Sequence, residues 1–259
     1  MPSFSAPDGV EIVFDDHPGD GPAVVLHHGF AADARTNWDA PGITGHLVDA
    51  GRRVVALDAR GHGRSGKPHD PAAYDAPAMA RDVSALLDHL DLGEVDLVGY
   101  SMGAFVSLEV ATRDDRLRSL TLGGIGAGAL PRRDGGTGPA IDREAVAVAM
   151  EADDPSAAQG GGRAFRALAD ATGADRQALA AVLRSSPHRP DDVGSVSVPV
   201  LVVAGLDDPL AAGVDELASA FSRSRLVRVP GDHMSAVGTP EMVDALLRFV
   251  TDPGAEVDS

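Results

Sequence analysis

In Gly99-Tyr100-Ser101-Met102-Gly103 a serine hydroxyl stands between two glycines. The preceding Val95-Asp96-Leu97-Val98 reads as a buried strand, and Ala104 to Thr112 carries helical spacing, so Ser101 falls on a tight strand-to-helix turn. Such a turn demands glycine on either side, because side chains there would collide with neighbouring elements, and it lifts the hydroxyl clear of the sheet. At a helix N-terminus, free amides and the helix dipole also favour negative charge on a bound substrate. The chemistry this suits is nucleophilic attack on a carbonyl. Ser65, which also lies beside a glycine, lacks the strand and helix on its flanks and reads as a turn residue.

The elements around Ser101 follow an ordered pattern. Pro7-Asp8-Gly9 is a turn signal between Phe4 and the alternating Val10 to Phe14, predicting an opening antiparallel hairpin. Short β-branched runs follow at Ala23 to Leu26, Arg53 to Leu57, Val95 to Val98 and Leu117 to Leu122, then at Val198 to Ala204 and Leu226 to Val229. Continuous apolar runs of this length suit strands covered on both faces of a parallel sheet. Helical stretches lie between them, notably Ala78 to Leu90, and Pro240 to Val250 predicts a closing helix. The fold class is therefore α/β, with a mostly parallel central sheet and helices on both faces. Residues 1–128 and 198–259 form the core domain in this reading. Residues 129–197 form a small helical lid inserted in it, Gly- and Pro-rich from Pro131 to Pro139 and then Ala-rich over Ile141 to Ala152, Arg163 to Ala171 and Asp175 to Ser185.

With these motifs in that order, the chain resembles the α/β-hydrolase family over nearly its whole length. His28-Gly29-Phe30 is similar to the family's oxyanion-hole motif, Asp58-Ala59-Arg60-Gly61-His62-Gly63-Arg64-Ser65 to its D-x-R-G-x-G-x-S loop, and Gly99 to Gly103 to its nucleophile elbow. The resemblance implies a catalytic triad in the chain order serine, acid, histidine. Two histidines follow Ser101; His188 precedes a strand, whereas His233 follows the last one on a loop expected to face Ser101, and is the expected base. The acid is expected after the Val198 to Ala204 strand, where Asp207 and Asp208 both stand. The family's G-x-x-D spacing selects Asp208, and Pro209 holds it extended. The acid position used by some relatives, one strand earlier, reads Gly123-Gly124-Ile125-Gly126 and holds no carboxylate. The oxyanion hole implied is the backbone N–H groups of Phe30 and Met102.

Composition narrows the function further. A net charge of -17 opposes nucleic-acid backbones and anionic lipid, the absence of cysteine excludes disulfides and thiolate catalysis, and no apolar run is long enough to span a bilayer. A cytoplasmic protein acting on a small molecule is expected, with no nucleic-acid or membrane partner. No cofactor is called for, and His27 and His28 lack the further ligands a metal site would need; His28 reads as a structural hydrogen-bonder beneath its loop, His62 as shaping the loop after Asp58, and Arg60 as paired with Asp58 or a carboxylate of another loop. The reaction implied is hydrolysis of a small or medium carboxylic ester, thioester or lactone through an acyl-enzyme. The same triad serves carbon–carbon bond hydrolases, perhydrolases and slow-turnover ligand receptors, which stay as alternatives; an aspartate-nucleophile dehalogenase or epoxide hydrolase is disfavoured by Ser101.

Overall fold

The strands expected from the apolar runs assemble into one eight-stranded sheet in a computed structural model that describes residues 1–131, 141–158, 160–185, 190 and 192–255. In chain order the elements are β1 (Ser3–Ser5), β2 (Glu11–His17), β3 (Gly21–His27), α1 (Ile43–Asp49), β4 (Arg52–Leu57), α2 (Ala76–His89), β5 (Val95–Tyr100), α3 (Met102–Ala111) and β6 (Leu117–Gly123). After them come α4 (Arg143–Glu151), α5 (Gly161–Thr172), α6 (Arg176–Arg184), β7 (Val200–Gly205), α7 (Val214–Ser219), β8 (Ser224–Val229) and α8 (Pro240–Thr251). The strand order is β1-β2-β4-β3-β5-β6-β7-β8. The opening hairpin pairs antiparallel with itself and with β4, and every later pair is parallel. Residues 132–139 of the expected Gly- and Pro-rich run and His188 lie outside the described residues.

Successive strand residues face opposite sides, so each strand feeds two cores. Ala23, Val25, Val55, Leu57, Leu97 and Leu122 pack beneath α2, α3 and α7. Their neighbours Val24, Leu26, Val54, Ala56, Val98 and Val203 pack against α1 and α8, with Trp38 fully buried among them. Packing, rather than substrate contact, is thus what Trp38 does here. A third cluster joins α4, α5 and α6 to Phe30, Ala31 and Tyr74, so the segment between β6 and β7 folds over the end of the sheet where β3 and β5 finish. Its helices begin on side-chain caps, Asp142 for α4 and Asp175 for α6, each accepting an amide of the first turn. Caps of this kind contribute about 1 kcal/mol apiece.

Buried charge ties the opposite end of the sheet. Asp96, fully buried within β5, takes Arg52 from β4, Arg118 from β6 and the Ser119 hydroxyl, and both arginines also donate to the Val250 carbonyl near the end of α8. Removing one member of such a group strands the rest, which is why the closing helix and three strands are fixed together.

Three histidines are buried where β3 and β4 run out. Burial pushes His27 and His62 down to about 3, with the neighbouring His28 adding to it, and burial lowers His28 as well despite nearby Asp58. Their folded forms are neutral, whereas in the unfolded chain they take up protons below about pH 6.5. The unfolded state therefore binds more protons between those limits, and stability is complete above pH 6.5 and lost as pH falls toward 3. Denaturant midpoints measured from pH 7.5 to 4.5, above most carboxylate titration, are expected to decline steadily; a flat profile would show that these rings titrate normally in the fold.

Candidate active site

The turn after β5 depends on close backbone approach. A Cβ at Gly103 would lie 2.1 Å from the His27 carbonyl oxygen, and one at Gly99 would lie 2.4 Å from the Gly103 carbonyl oxygen. With those gaps filled, α3 could not seat its first turn against β3. Ser101 itself has φ 52 and ψ -115, a conformation that L side chains adopt only under constraint. Its amide donates to the Gly123 carbonyl at 2.8 Å, and its own carbonyl receives the amides of Ala104 and Phe105, so both sides of the strained residue are held.

Ser101 Oγ lies 2.9 Å from His233 Nε2, and His233 Nδ1 lies 2.9 Å from Asp208 Oδ2. A carboxylate only accepts, so Nδ1 carries the ring proton and Nε2 is left to accept from the serine hydroxyl. Asp208 and His233 are buried and Ser101 is partly open. The other oxygen of Asp208 accepts the Leu210 amide at 2.8 Å, which fixes the carboxylate in its extended backbone setting ahead of Pro209. Asp207 is exposed, and its amide donates to the Gly231 carbonyl. The structure therefore joins Ser101, His233 and Asp208 and leaves Asp207 outside the relay.

The loop bearing His233 is shaped from both ends. Asp232 Oδ1 accepts the amides of Met234 and Ser235, while the Tyr100 hydroxyl donates to the His233 carbonyl at 2.8 Å. Gly124 explains why no acid stands after β6: at φ +67, a Cβ there would lie 3.1 Å from His233 Cε1 and 2.9 Å from the Tyr100 ring. Neither the Tyr100 tether nor this crowding was legible in the sequence, because both join residues far apart in the chain.

Opposite Ser101 stands the loop after β3. An added Cβ at Gly29 would come 3.3 Å from Ser101 Cβ, so that loop passes directly beside the serine. The amides of Phe30 and Met102 are without a hydrogen-bond partner among the described residues and are available to a ligand. His28 accepts the Ala59 amide at Nε2 and pairs through Nδ1 with the Gly29 carbonyl at 2.8 Å, the structural role expected of it.

Asp58 holds this loop together with the one that follows it. Its carboxylate accepts the amides of Ala34 and Arg64 and the Arg64 guanidinium. Burial alone pushes this carboxyl up, but those donors outweigh it and hold it below the ordinary value. Gly63 makes the arrangement possible, since a Cβ there would sit 2.4 Å from the Asp58 carboxyl carbon. Of the two expected partners for Arg60, Asp58 or a carboxylate of another loop, the structure gives the second: Arg60 pairs with Asp8 of the opening turn and also with Asp82 of α2. His62 pairs through Nδ1 with the Arg60 carbonyl, and the buried Ser65 hydroxyl bridges the Val13 amide and the Asp58 carbonyl; both serve the turn.

Phe165 of α5 leans over the site. Its ring meets Phe30 edge-on at 5.5 Å and lies 6.4 Å from the His233 ring, while Phe30 is backed on another side by His62 at 5.8 Å. The surrounding cluster is apolar, with Met102, Ile141, Leu168 and Leu210 as partly buried members. Among the described residues, no group of three or more His, Cys, Asp or Glu stands ready to hold a metal, and no helix is long and apolar enough to cross a membrane.

Comparison with known proteins agrees with this geometry. Over 104 residues the chain is 43% identical to the dihydrolipoyllysine-residue acetyltransferase component of an acetoin cleaving system from Pseudomonas putida, a match covering 39% of this chain and 26% of that protein. It is 41% identical over 106 residues to a non-heme haloperoxidase from Rhodococcus erythropolis, covering 40% of this chain and 35% of that protein. The matched region thus spans about a third or less of these relatives. A solved esterase from Thermogutta terrifontis superimposes with a TM-score of 0.78 at 26% identity, covering 98% of this chain and all of that one. The sequence model of the alpha/beta hydrolase fold matches residues 22–155, just over half of the chain, and includes both the loop after β3 and the turn at Ser101. By sequence and by fold, this chain belongs to the α/β-hydrolase family.

Proposed function

We propose that this protein is a cytoplasmic, cofactor-free serine hydrolase that cleaves a small or medium carboxylic ester, thioester or lactone through an acyl-enzyme. The observation that carries the reading is the continuous Ser101–His233–Asp208 hydrogen-bond relay. Ser101 Oγ attacks the substrate carbonyl as its proton passes to His233 Nε2, and Asp208 steadies the imidazolium that forms. The tetrahedral oxyanion is received by the amides of Phe30 and Met102, whose donors are preset by the backbone and cost no reorganisation. His233 then returns its proton to the leaving alcohol or thiol and draws one from the water that releases the acid.

The segment 129–197 acts in this reading as the lid that selects substrate. Phe165, wedged between Phe30 and His233, limits the space above Ser101, and the apolar cluster around it suits an uncharged acyl group. A second reading draws on the name of the haloperoxidase relative: hydrogen peroxide in place of water would attack the same acyl-enzyme and release a peracid. The esterase resemblance supports the hydrolytic reading over nearly the full chain, so it is placed first.

Three measurements test this. On p-nitrophenyl esters of graded acyl length and on lactones, wild type should turn over and Ser101→Ala should lose at least about 1000-fold while keeping its melting temperature; retained activity in the variant would refute the nucleophile, and peracid release with added peroxide would favour the second reading. Asp208→Asn should reduce kcat by several orders of magnitude more than Asp207→Asn, and the reverse order would move the acid to Asp207. Phe165→Ala should raise the ratio of octanoate to acetate kcat/KM by about ten-fold or more, a step within the range that methylene-sized differences in a pocket produce; an unchanged ratio would remove Phe165 from the acyl space.

A further inference from the structure

Asn37 stands in no motif, yet it is the side chain that grips the loop facing Ser101. It lies in a single π-helical turn, Arg35–Asp39, whose wide winding is marked by the Ala40 amide donating to the Arg35 carbonyl at 2.9 Å. Turns of this kind are rare and concentrate at functional sites. The neighbouring Trp38 is sunk in the core, which turns Asn37 inward, where it is 6% exposed. There Asn37 Oδ1 accepts the Gly29 amide at 2.9 Å. Its other end is unsatisfied: Asn37 Nδ2 is buried without a hydrogen-bond partner among the described residues. The side chain is thus held for its acceptor alone, at the cost of an unpaired donor.

What that acceptor controls follows from peptide geometry. Gly29 is the residue of this loop with the freest backbone, and its two peptide groups are held separately. Asn37 holds the Gly29 N–H, and His28 with the Ala32 amide holds the Gly29 carbonyl. Because the peptide is planar and trans, fixing the Gly29 carbonyl fixes the opposed N–H of Phe30. Both ends of Gly29 must be pinned for that direction to persist. The site of this clamp is the immediate neighbourhood of the serine, since a Cβ on Gly29 would lie 3.3 Å from Ser101 Cβ and 3.4 Å from Asn37 Oδ1.

We infer that Asn37 is a positioning residue for the reaction, holding Gly29 so that the Phe30 N–H is aimed at the oxyanion of the tetrahedral intermediate. This rests on the serine-hydrolase reading above. Asn37 touches neither substrate nor reacting atoms, and its effect is confined to the state in which negative charge develops. Ground-state binding of the ester is untouched.

The test is Asn37→Leu, which keeps the volume and deletes the acceptor, with Asn37→Ala as a second variant should the first fail to fold. Each is assayed on p-nitrophenyl butyrate, with active sites counted by burst titration with diethyl p-nitrophenyl phosphate, and with inhibition by an alkyl trifluoromethyl ketone, whose serine adduct carries an oxyanion. The expected result is a fall of about 10- to 100-fold in kcat per titrated site, smaller than the loss from removing an oxyanion donor outright. The affinity for the ketone should fall by a similar factor, with KM within about three-fold of wild type. Unchanged kcat per titrated site, with fewer sites or a lower melting temperature, would reduce Asn37 to a packing role and overturn the inference. A fall in kcat without loss of ketone affinity would overturn it too. Wild type that neither turns over the ester nor is titrated at Ser101 would overturn the underlying hydrolase reading, an outcome visible before any variant is made.

Discussion

The contact on which the rest of the site depends is the approach of α3 to the end of β3. Between Gly103 and the His27 carbonyl there is no space for a side chain, and Gly99 closes on Gly103 with equal tightness. That fit forces Ser101 into its positive-φ conformation and sets it beside Gly29. It follows that the loop after β3 and the start of α3, two distant parts of the chain, meet at one serine without any side chain being asked to bring them together. A hydrophobic core alone does not specify such geometry, because apolar packing is non-directional. Glycine contributes here by being absent from the volume that two backbones must share.

Around that contact the fold spends polar groups in a consistent way. At the end of the sheet away from Ser101, Asp96 gathers two arginines and the Ser119 hydroxyl, and the same arginines donate to the Val250 carbonyl of α8. Beside Ser101, Asp58 gathers loop amides and Arg64, while His28 joins the Gly29 carbonyl to the Ala59 amide. Breaking one partner in a buried group of this sort is costly because the others are left without water or partner. The loops near the site are therefore rigid although they carry no regular structure. The neutral histidines beneath them serve the same end, while His233, tied to Asp208, is the imidazole within hydrogen-bond reach of Ser101.

Much of this was legible in the chain itself, and the reasons differ from residue to residue. The strands announced themselves because β-branched runs covered on both faces leave no polar interruption, and the turn at Ser101 because its two glycines sit between a strand and a helix. Asp208 was separable from Asp207 by spacing, and the hydrogen bond to His233 falls on the former. For Arg60 the sequence left open a local pair with Asp58 or a carboxylate of another loop, and the partners in the fold are Asp8 of the opening turn and Asp82. The distant Asp82 and Asp8 are reached only once α2 and the opening turn pack on the same loop. Asn37, Tyr100 and Phe165 carried no signal beyond their types. Each acts on a residue brought near by topology, and a single sequence holds no record of that proximity.

The division between core and insertion follows from the same physics. The groups hydrogen-bonded to the Ser101 hydroxyl, His233 and Asp208 come from β-strand ends and the loops that follow them, so this geometry is set by the sheet. Among the described residues, the α4–α6 segment meets this frame through the buried cluster it shares with Phe30, Ala31 and Tyr74, through the Thr172 hydroxyl on the Ala31 carbonyl at 3.3 Å, and through an exposed pair of His69 with Asp175. Its helices are built of alanine, whose small side chains pack closely without fixing a detailed shape. Phe165 of α5 meets both the Phe30 ring and the His233 ring, so a change of packing in this segment is felt beside Ser101 through that side chain.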